Sequence, residues 1–476
     1  MPHRSPLSVR QGDPVCATLN LVVPLAHKAT DMRITDTTGG VRARSGAVTP
    51  LIGESLRLGD VDSTNGRSTQ LTPTMPGIRI LTTATRTTTT RRSKVAPEPS
   101  ADKFDPALAP YSFEELVTAY FDCRRSKRNT PSALDFEQNL ERNLISLNDD
   151  LLSGAYKPGR SICFVVTRPK AREVWAAPFP DRVVHHLMHN RIAPRFYASF
   201  IADSCACIPG RGTLYAAERL EAKIRNASKN WSKPTFYLKC DLANFFVAID
   251  KNVLREQIAA RVTEPWWLAL AETILFHDPR QNFELRGAPG LVARVPAHKQ
   301  LHNQPAHLGL PIGNLSSQFF ANIYLDALDQ FVKHQIGARH YIRYVDDFIL
   351  LHDSPQWLNA AHDAISEFVQ TRLHAQLNPT KTILQPISRG VDFVGQVIKP
   401  HCRTTRRRTF NEAISRVAGI DADDVYTTAN SYFGLLRQAG ASHVDRAQLA
   451  NSVRRRGHSV NKQFTQTYRT GVHQHV

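Results

Sequence analysis

The sequence predicts a mixed α/β (α+β) protein, and three observations carry that prediction. Helical runs alternate with short β-rich runs between residues 111 and 400. Two of those β-rich runs end on aspartates. The chain is 476 residues long and 42% hydrophobic, enough for two or three domains of ordinary size around a substantial core.

In chain order, residues 1–100 come first. They are rich in Thr, Arg, Gly and Pro, include Leu81-Thr-Thr-Ala-Thr-Arg-Thr-Thr-Thr-Thr-Arg-Arg92, and show no sustained period of 3.6 or 2. They are expected to be a largely disordered basic extension, or else a tract upstream of the true translation start. Order begins near Tyr111. Ser112 and Glu115 have the spacing of a capping box, and Leu116, Tyr120 and Phe121 follow at helical spacing. A second helix is expected over Ala133–Leu152, with Leu134, Leu140, Leu144, Leu147 and Leu151 near one face and Gly154 beyond its end. Ser161–Thr167 is β-rich and leads into the basic Arg168-Pro-Lys-Ala-Arg172. Helices are expected over Asp181–Phe200 and Leu315–Phe331, and helical pattern returns over Val425–Val453. Thr235–Cys240 reads as a strand ending in Asp241, and Tyr341–Val345 with Phe348–His352 as a strand–turn–strand.

The charge balance narrows the function. Sixty Lys+Arg against 42 Asp+Glu give +18, which favours a polyanionic partner, nucleic acid or an acidic membrane surface. The excess sits at the ends, about +6 over residues 1–100 and about +7 over 401–476. No apolar run approaches the length of a membrane span, and the N-terminus lacks a secretory pattern, so a cytoplasmic protein is expected. Seven scattered cysteines form no CxxC and read as reduced thiols. His185, His186 and His189 sit beside apolar positions on a helix, where packing or phosphate contact fits better than metal ligation.

The chemistry concentrates in Tyr341-Ile-Arg-Tyr-Val-Asp-Asp-Phe-Ile-Leu-Leu351 and Phe236-Tyr-Leu-Lys-Cys-Asp-Leu-Ala-Asn-Phe-Phe246. Adjacent carboxylates at a hairpin turn repel one another, and a divalent cation offsets that repulsion. If both strand ends lie in one sheet, Asp241, Asp346 and Asp347 converge. Phosphoryl transfer uses such a point, with two cations about 3.5–4 Å apart. Magnesium suits an all-oxygen site, with manganese as an alternative.

Asp241-Leu-Ala-Asn-Phe-Phe, Gly309-Leu-Pro-Ile-Gly-Asn-Leu-Ser-Ser-Gln318 and Tyr344-Val-Asp-Asp347 resemble the palm motifs of reverse transcriptases, in the same order and at similar spacing. Arg168–Arg172, Asp181-Arg-Val-Val-His-His186 and Pro209-Gly-Arg-Gly212 are similar to the preceding fingers segments. Asn378-Pro-Thr-Lys381 and Asp392-Phe-Val-Gly395 resemble the motifs that follow. The resemblance implies an RNA-directed DNA polymerase with a right-hand fold: fingers, a palm of antiparallel sheet plus helices, and a helical thumb. Fingers and palm would fill 101–400, and a basic helical thumb and tail 401–476. Asp241 and Asp346 would be the main metal ligands, with Asp347 secondary and the Leu242 carbonyl contributing. Lys170 and Arg172 would clamp the incoming triphosphate. Phe246 matches a steric gate against the 2′-hydroxyl, although ordinary core fits it equally. Lys381 matches a lysine that protonates or orients the leaving pyrophosphate.

Nucleic-acid contacts are implied for Arg211, for the Phe393–Gly395 turn (which also fits a plain hairpin), and for Arg406, Arg407, Arg408, Arg454, Arg455 and Arg456, with Arg403 alongside. Ile312 stands where many reverse transcriptases carry a glutamine that touches the nucleotide, and Ser317-Gln318 where Ser-Pro is common. The pattern Ile-Gly-x-x-x-Ser-Gln resembles the enzymes of diversity-generating retroelements, which copy a template RNA into cDNA with errors opposite adenine. That likeness implies dNTP substrates, a structured template RNA and a small basic accessory protein as partners. Retron or phage-defence reverse transcriptases share the palm, and a non-catalytic RNA-binding scaffold would be free to lose the carboxylates. A group II intron maturase would need more than the roughly 75 residues that follow the palm motifs.

Overall fold

The computed structural model describes residues 109–469 apart from 126, 128, 129 and 169. The basic extension expected over 1–100 lies outside the described residues. Helix α1, Phe113–Arg125, starts at the expected capping box. The Glu115 carboxylate accepts from Ser112 N–H at 2.8 Å, and the Ser112 hydroxyl accepts from Glu115 N–H at 3.2 Å. Leu116 and Tyr120 are buried, whereas Phe121 faces solvent. The long second helix is in fact two, α2 (Pro131–Glu137) and α3 (Leu140–Leu152), broken where Asn139 leaves helical dihedrals. The Asn143 side chain donates to the Phe136 carbonyl at 2.9 Å across that break. The break rotates the helical face, so Leu134 is exposed while Leu144, Leu147 and Leu151 are buried.

Strands β1 (Ser161–Val166) and β2 (Arg172–Ala176) form an antiparallel hairpin that carries the basic loop 168–172 at its tip. Helix α4, Phe179–Tyr197, is buried nearly all round and encloses His185, whose imidazole burial pushes down to about 3. Helix α5 (Thr213–Ala227) leads to β3 (Phe236–Cys240). Three helices follow: α6 (Phe245–Ala248), α7 (Lys251–Ala259) and α8 (Pro265–Phe276). Strand β4, Phe283–Arg286, then joins β1 in parallel. Helix α9 (Leu315–Gln330) precedes the hairpin of β5 (His340–Tyr344) and β6 (Asp347–His352). After α10 (Pro355–Arg372) come β7 (Ile383–Pro386), β8 (Val391–Phe393), β9 (Gln396–Lys399) and β10 (Cys402–Thr405).

The central sheet has the order β5-β6-β3-β7 and is antiparallel throughout. Side chains alternate across it with a period of two. Leu238, Cys240, Phe348 and Leu350 point into the main core against α9 and α10. Tyr237, Ile349, Leu351 and Ile342 point the other way, onto Leu220 and Ile224 of α5 and onto Phe393 and Ile398. Three helices follow, α11 (Arg407–Gly419), α12 (Ala422–Leu436) and α13 (His443–Arg455), around Val417, Phe433, Leu436 and Leu449, and then a short antiparallel pair, β11 (Ser459–Val460) and β12 (Thr467–Tyr468). No helix among the described residues is long and apolar enough to cross a membrane.

Candidate active site

The register of the central sheet builds the site. Cys240 of β3 pairs with Phe348 of β6, and Lys239 with Ile349. Extending that pairing by one residue sets Asp241 across from Asp347, with Asp346 beside it in the turn. Alternation puts Asp241 and Asp347 on the face of Tyr237, Ile349 and Leu351, at the end of the strands. Carboxylates about a hundred residues apart in sequence therefore meet.

Their electrostatics follow from that crowding. Asp241 is buried. Burial, then the Asp241 and Asp347 charges, push the Asp346 carboxyl up to about 7. Asp347 is also raised, by burial first, with the Lys239 ammonium pulling against the shift. Two lysines supply counter-charge. Lys381 Nζ donates to Asp241 Oδ2, and Lys239 Nζ lies 3.6 Å from Asp347 Oδ2. The loop bearing Lys381 is docked on β3, where Asn378 N–H donates to the Asp241 carbonyl at 2.7 Å and Ala243 N–H to the Gln376 carbonyl at 2.8 Å. Leu242 and Leu377 are thus a non-hydrogen-bonded pair, and the N–H and C=O of Leu242 point away from Leu377. Among the described residues, no three acidic, imidazole or thiolate side chains surround one point in metal-ligand geometry.

The turn that carries Asp346 is held in an unusual conformation. Val345 has φ +55°, the left-handed region that costs a β-branched residue most. Arg343 grips it from below. Its Nη1 donates to the Val345 carbonyl at 3.0 Å, while Nε and Nη2 take the two oxygens of Asp329 at 2.8 and 2.6 Å. Ser204 Oγ at 2.8 Å and Asn322 Oδ1 at 3.3 Å accept the remaining donors. Both members of the Arg343–Asp329 pair are fully buried. Sequence reasoning missed Arg343 and Lys239. The signal for each was a lone cation inside an otherwise apolar strand.

Around the carboxylates the expected residues gather in two groups. Lys170 is pushed below its ordinary value by burial and then by Lys381, Lys299, Arg172 and Arg408, so these cations lie within electrostatic reach of it. Phe246 and Gln318 line a narrow pocket together with Val345, Arg343 and Cys207. Ile312 sits against the end of β2. Its carbonyl accepts from Trp175 N–H at 2.7 Å, and Asn314 clips the end of β2 by accepting from Ala177 N–H at 3.0 Å and donating to the Trp175 carbonyl at 3.1 Å. Gly313 permits this approach. With φ +127°, a Cβ there would lie 2.8 Å from Val174 Cγ1.

Other residues expected at the nucleic acid are engaged elsewhere. Arg211 Nη1 is spent on the Ile201 and Ser204 carbonyls, both at 2.7 Å. Phe393 is fully buried against Tyr344, so what the β8–β9 turn exposes is Val394-Gly395, not the ring expected to contact nucleic acid. Both turn residues have positive φ, as a two-residue hairpin of this hand requires. Arg406 pairs with Asp392. Arg456 closes the end of α11 through the Ala418 and Ile420 carbonyls, each at 2.6 Å. Arg407, Arg408, Arg454 and Arg455 remain exposed on α11 and α13.

Residues 167–398 match the family described as reverse transcriptase (RNA-dependent DNA polymerase). Over those residues, just under half of the chain, the sequence resembles a reverse transcriptase domain. That family is one of nucleotidyltransferases, and the match runs from the 168–172 loop through both carboxylate-bearing strands to β9. The mixed helix-and-sheet architecture is that of a right-hand polymerase. Solved structures similar to it include apo telomerase from Candida tropicalis truncated from its C-terminal domain (TM-score 0.37, 14% identity, 51% of this chain and 53% of that one). Telomerase from Candida albicans in complex with a TWJ fragment of telomeric RNA (0.36, 11%, 62% and 55%) and apo telomerase from Candida tropicalis (0.41, 12%, 62% and 56%) are also similar. The chain spans a little over half the length of each. No curated protein matches the sequence.

Proposed function

We propose that this reverse transcriptase domain copies an RNA template into cDNA by two-metal nucleotidyl transfer, in the manner of diversity-generating retroelements. The observation that carries the reading is the β3–β6 register, which brings Asp241, Asp346 and Asp347 to one strand end. The donor set fits hard divalent cations: carboxylate oxygens, crowded and underneutralised enough that Asp346 is raised to about 7. Asp241 and Asp346 would hold magnesium, with Asp347 and the Leu242 carbonyl assisting once the Lys381 ammonium moves off Asp241. Bound there, the cations supply acidity to the primer 3′-hydroxyl and charge stabilisation to the leaving pyrophosphate.

The chain's own groups do the rest. Lys170 and Arg172, with Arg408 nearby, neutralise the triphosphate, and a guanidinium fork suits phosphate oxygens. Phe246 crowds the sugar's 2′ position. As the 3′-oxygen gives up its proton to solvent water and bonds to the α-phosphorus, the bond to the bridging oxygen breaks and Lys381 gives its own proton to the departing pyrophosphate. Residues 101–400 act as fingers and palm and 401–476 as a thumb whose exposed arginines follow the template–primer duplex. The adenine-infidelity reading rests on Ile312, whose aliphatic side chain has no donor for checking a nascent pair. A structured template RNA and a small basic accessory protein complete the system. Primer extension on an RNA template with magnesium and dNTPs tests the activity. The wild type extends and Asp346→Ala does not; a wild type that fails to extend, or a variant that matches it, refutes the reading.

A further inference from the structure

At the end of β5 remote from the carboxylates lies an open pocket of about 300 Å³ lined by Arg219, Ala222, Lys223, Asn226, Arg339 and His340. His340 is four residues of extended strand before Tyr344, roughly 13 Å along β5. One carboxylate serves this region. Asp203 takes Arg219 at 2.5 Å, Lys223 at 2.7 Å and Lys333 at 3.7 Å. Burial opposes the Asp203 charge, but Lys223 and Arg219 outweigh it and hold the carboxyl below its ordinary value. Arg219, Lys223, Lys333 and Arg339 thus face a single anion, and no acidic side chain lines the pocket. The surplus also shows on His340, pushed down to about 4 by burial and then by Lys223, Arg339 and Lys333.

We infer that this pocket binds the phosphate backbone of a structured RNA, at a place separate from the catalytic carboxylates. The inference rests on the reading of the chain as an RNA-copying enzyme. Guanidinium and ammonium groups in excess over the one carboxylate that serves them match phosphates, and arginine forks favour paired phosphate oxygens. A membrane surface fits less well, because none of the exposed large apolar side chains lines the pocket to insert into lipid. RNA anchored here keeps a template on the enzyme while its copied segment moves through the palm.

The test uses the full chain and a fluorescein-labelled RNA hairpin with no primer, followed by anisotropy over a salt series. Arg339→Glu and Asn226→Asp alter two exposed positions and leave the Asp203 network intact. The double variant is expected to bind the hairpin about tenfold more weakly. Its slope of log-affinity against log-salt should shrink by about 0.7–0.9 for each phosphate that the protein no longer neutralises. Its kcat/KM on a short oligonucleotide template–primer stays within about twofold of wild type, as expected for groups outside the reacting centre. Unchanged hairpin affinity overturns the inference. So does an equal loss on the short template–primer, which would make the pocket part of the catalytic cleft. Polyglutamate or phosphatidylserine vesicles binding with the same Arg339 dependence and displacing the hairpin would assign the pocket to a peptide or a membrane instead. Failure of the wild type to extend any primer sinks the polymerase reading separately, since the hairpin measurement reads binding alone.

Discussion

Arg343→Lys isolates what holds the aspartate turn in place. The guanidinium serves five acceptors: both Asp329 oxygens, Asn322 Oδ1, Ser204 Oγ and the Val345 carbonyl. A lysine ammonium keeps the charge opposite Asp329 but has three donors, so at least two acceptors lose theirs. Each buried group left unpaired costs about 1–3 kcal/mol, so two of them give a loss of roughly 2–6 kcal/mol in unfolding free energy. Removing the charge outright would strand Asp329 and cost about 3–5 kcal/mol. The Val345 carbonyl is the acceptor whose loss reaches the chemistry. Left-handed φ at a β-branched residue stores about 1–3 kcal/mol, and with the Arg343 bond gone the turn relaxes and carries Asp346 with it.

A displacement near 1 Å at a reacting group costs about 100-fold in rate. Arg343→Lys is therefore expected to lower kcat for primer extension by about that factor, with KM for dNTP changed little. A merely structural defect would not respond to the turn itself, and that separates the two explanations. Glycine adopts φ +55° without strain, so Val345→Gly in the Arg343→Lys background should restore about a tenfold share of kcat, the equivalent of about 1.4 kcal/mol. Single-turnover extension gives the rates, and thermal melts followed by circular dichroism show that both variants fold. Wild-type kcat in Arg343→Lys, or a folded double variant no faster than the single, refutes the positioning argument.

Other outcomes follow from the same geometry. Asp346 is raised from an ordinary carboxylate value to about 7, so its contribution to stability is complete below about pH 4 and is lost as pH rises through 7. Metal-free Asp346→Asn should accordingly be more stable than wild type at pH 8, by up to about 4 kcal/mol at 1.36 kcal/mol per pH unit, and equal to it near pH 4; urea melts at the two pH values check this, and a difference independent of pH contradicts it. Gly313→Ala forces a Cβ to 2.8 Å from Val174 Cγ1 and 3.2 Å from the Trp175 carbonyl at a positive φ, so it should destabilise by about 1–3 kcal/mol and raise KM for dNTP by loosening the fingers strand from the palm; urea melts and steady-state kinetics read the two effects. Ile312→Gln, which restores a hydrogen-bonding side chain beside the fingers strand, should lower the error rate opposite template adenines; sequencing the cDNA of both enzymes decides, and an unchanged spectrum removes Ile312 from the fidelity argument.

What was legible in the sequence is what short-range physics writes there. The capping box at Ser112 needs four residues, and the β5–β6 hairpin needs a run of apolar residues interrupted by two charges. Both stand where the pattern put them. The break at Asn139 was illegible, because leucines continue through it at near-helical spacing and the interruption shows only in which of them end up buried. Helix α8, Pro-Trp-Trp-Leu-Ala-Leu-Ala-Glu-Thr-Ile-Leu-Phe, is apolar on nearly every side, so its period cannot be read, and α11, inside the basic helical segment expected over 401–476, hides three buried positions, Phe410, Ala413 and Val417, among its arginines.

The site divides along the same line. Acidic residues at strand ends advertise themselves locally, but their neutralisation does not. Lys239 and Arg343 are ordinary cations in the sequence, and their meaning depends on Asp347, Asp329 and Ser204, the last of these 139 residues from Arg343. The same distance explains the arginines that changed role. Arg211 and Arg456 are drawn to carbonyls left open where the chain turns, and only the folded backbone reveals those carbonyls. Charge counted along a sequence therefore overstates the surface offered to nucleic acid, by the number of cations that the fold consumes in holding itself together. The cations still facing solvent, in the 168–172 loop, on α11 and α13, and around Arg339, are the ones on which binding experiments should concentrate.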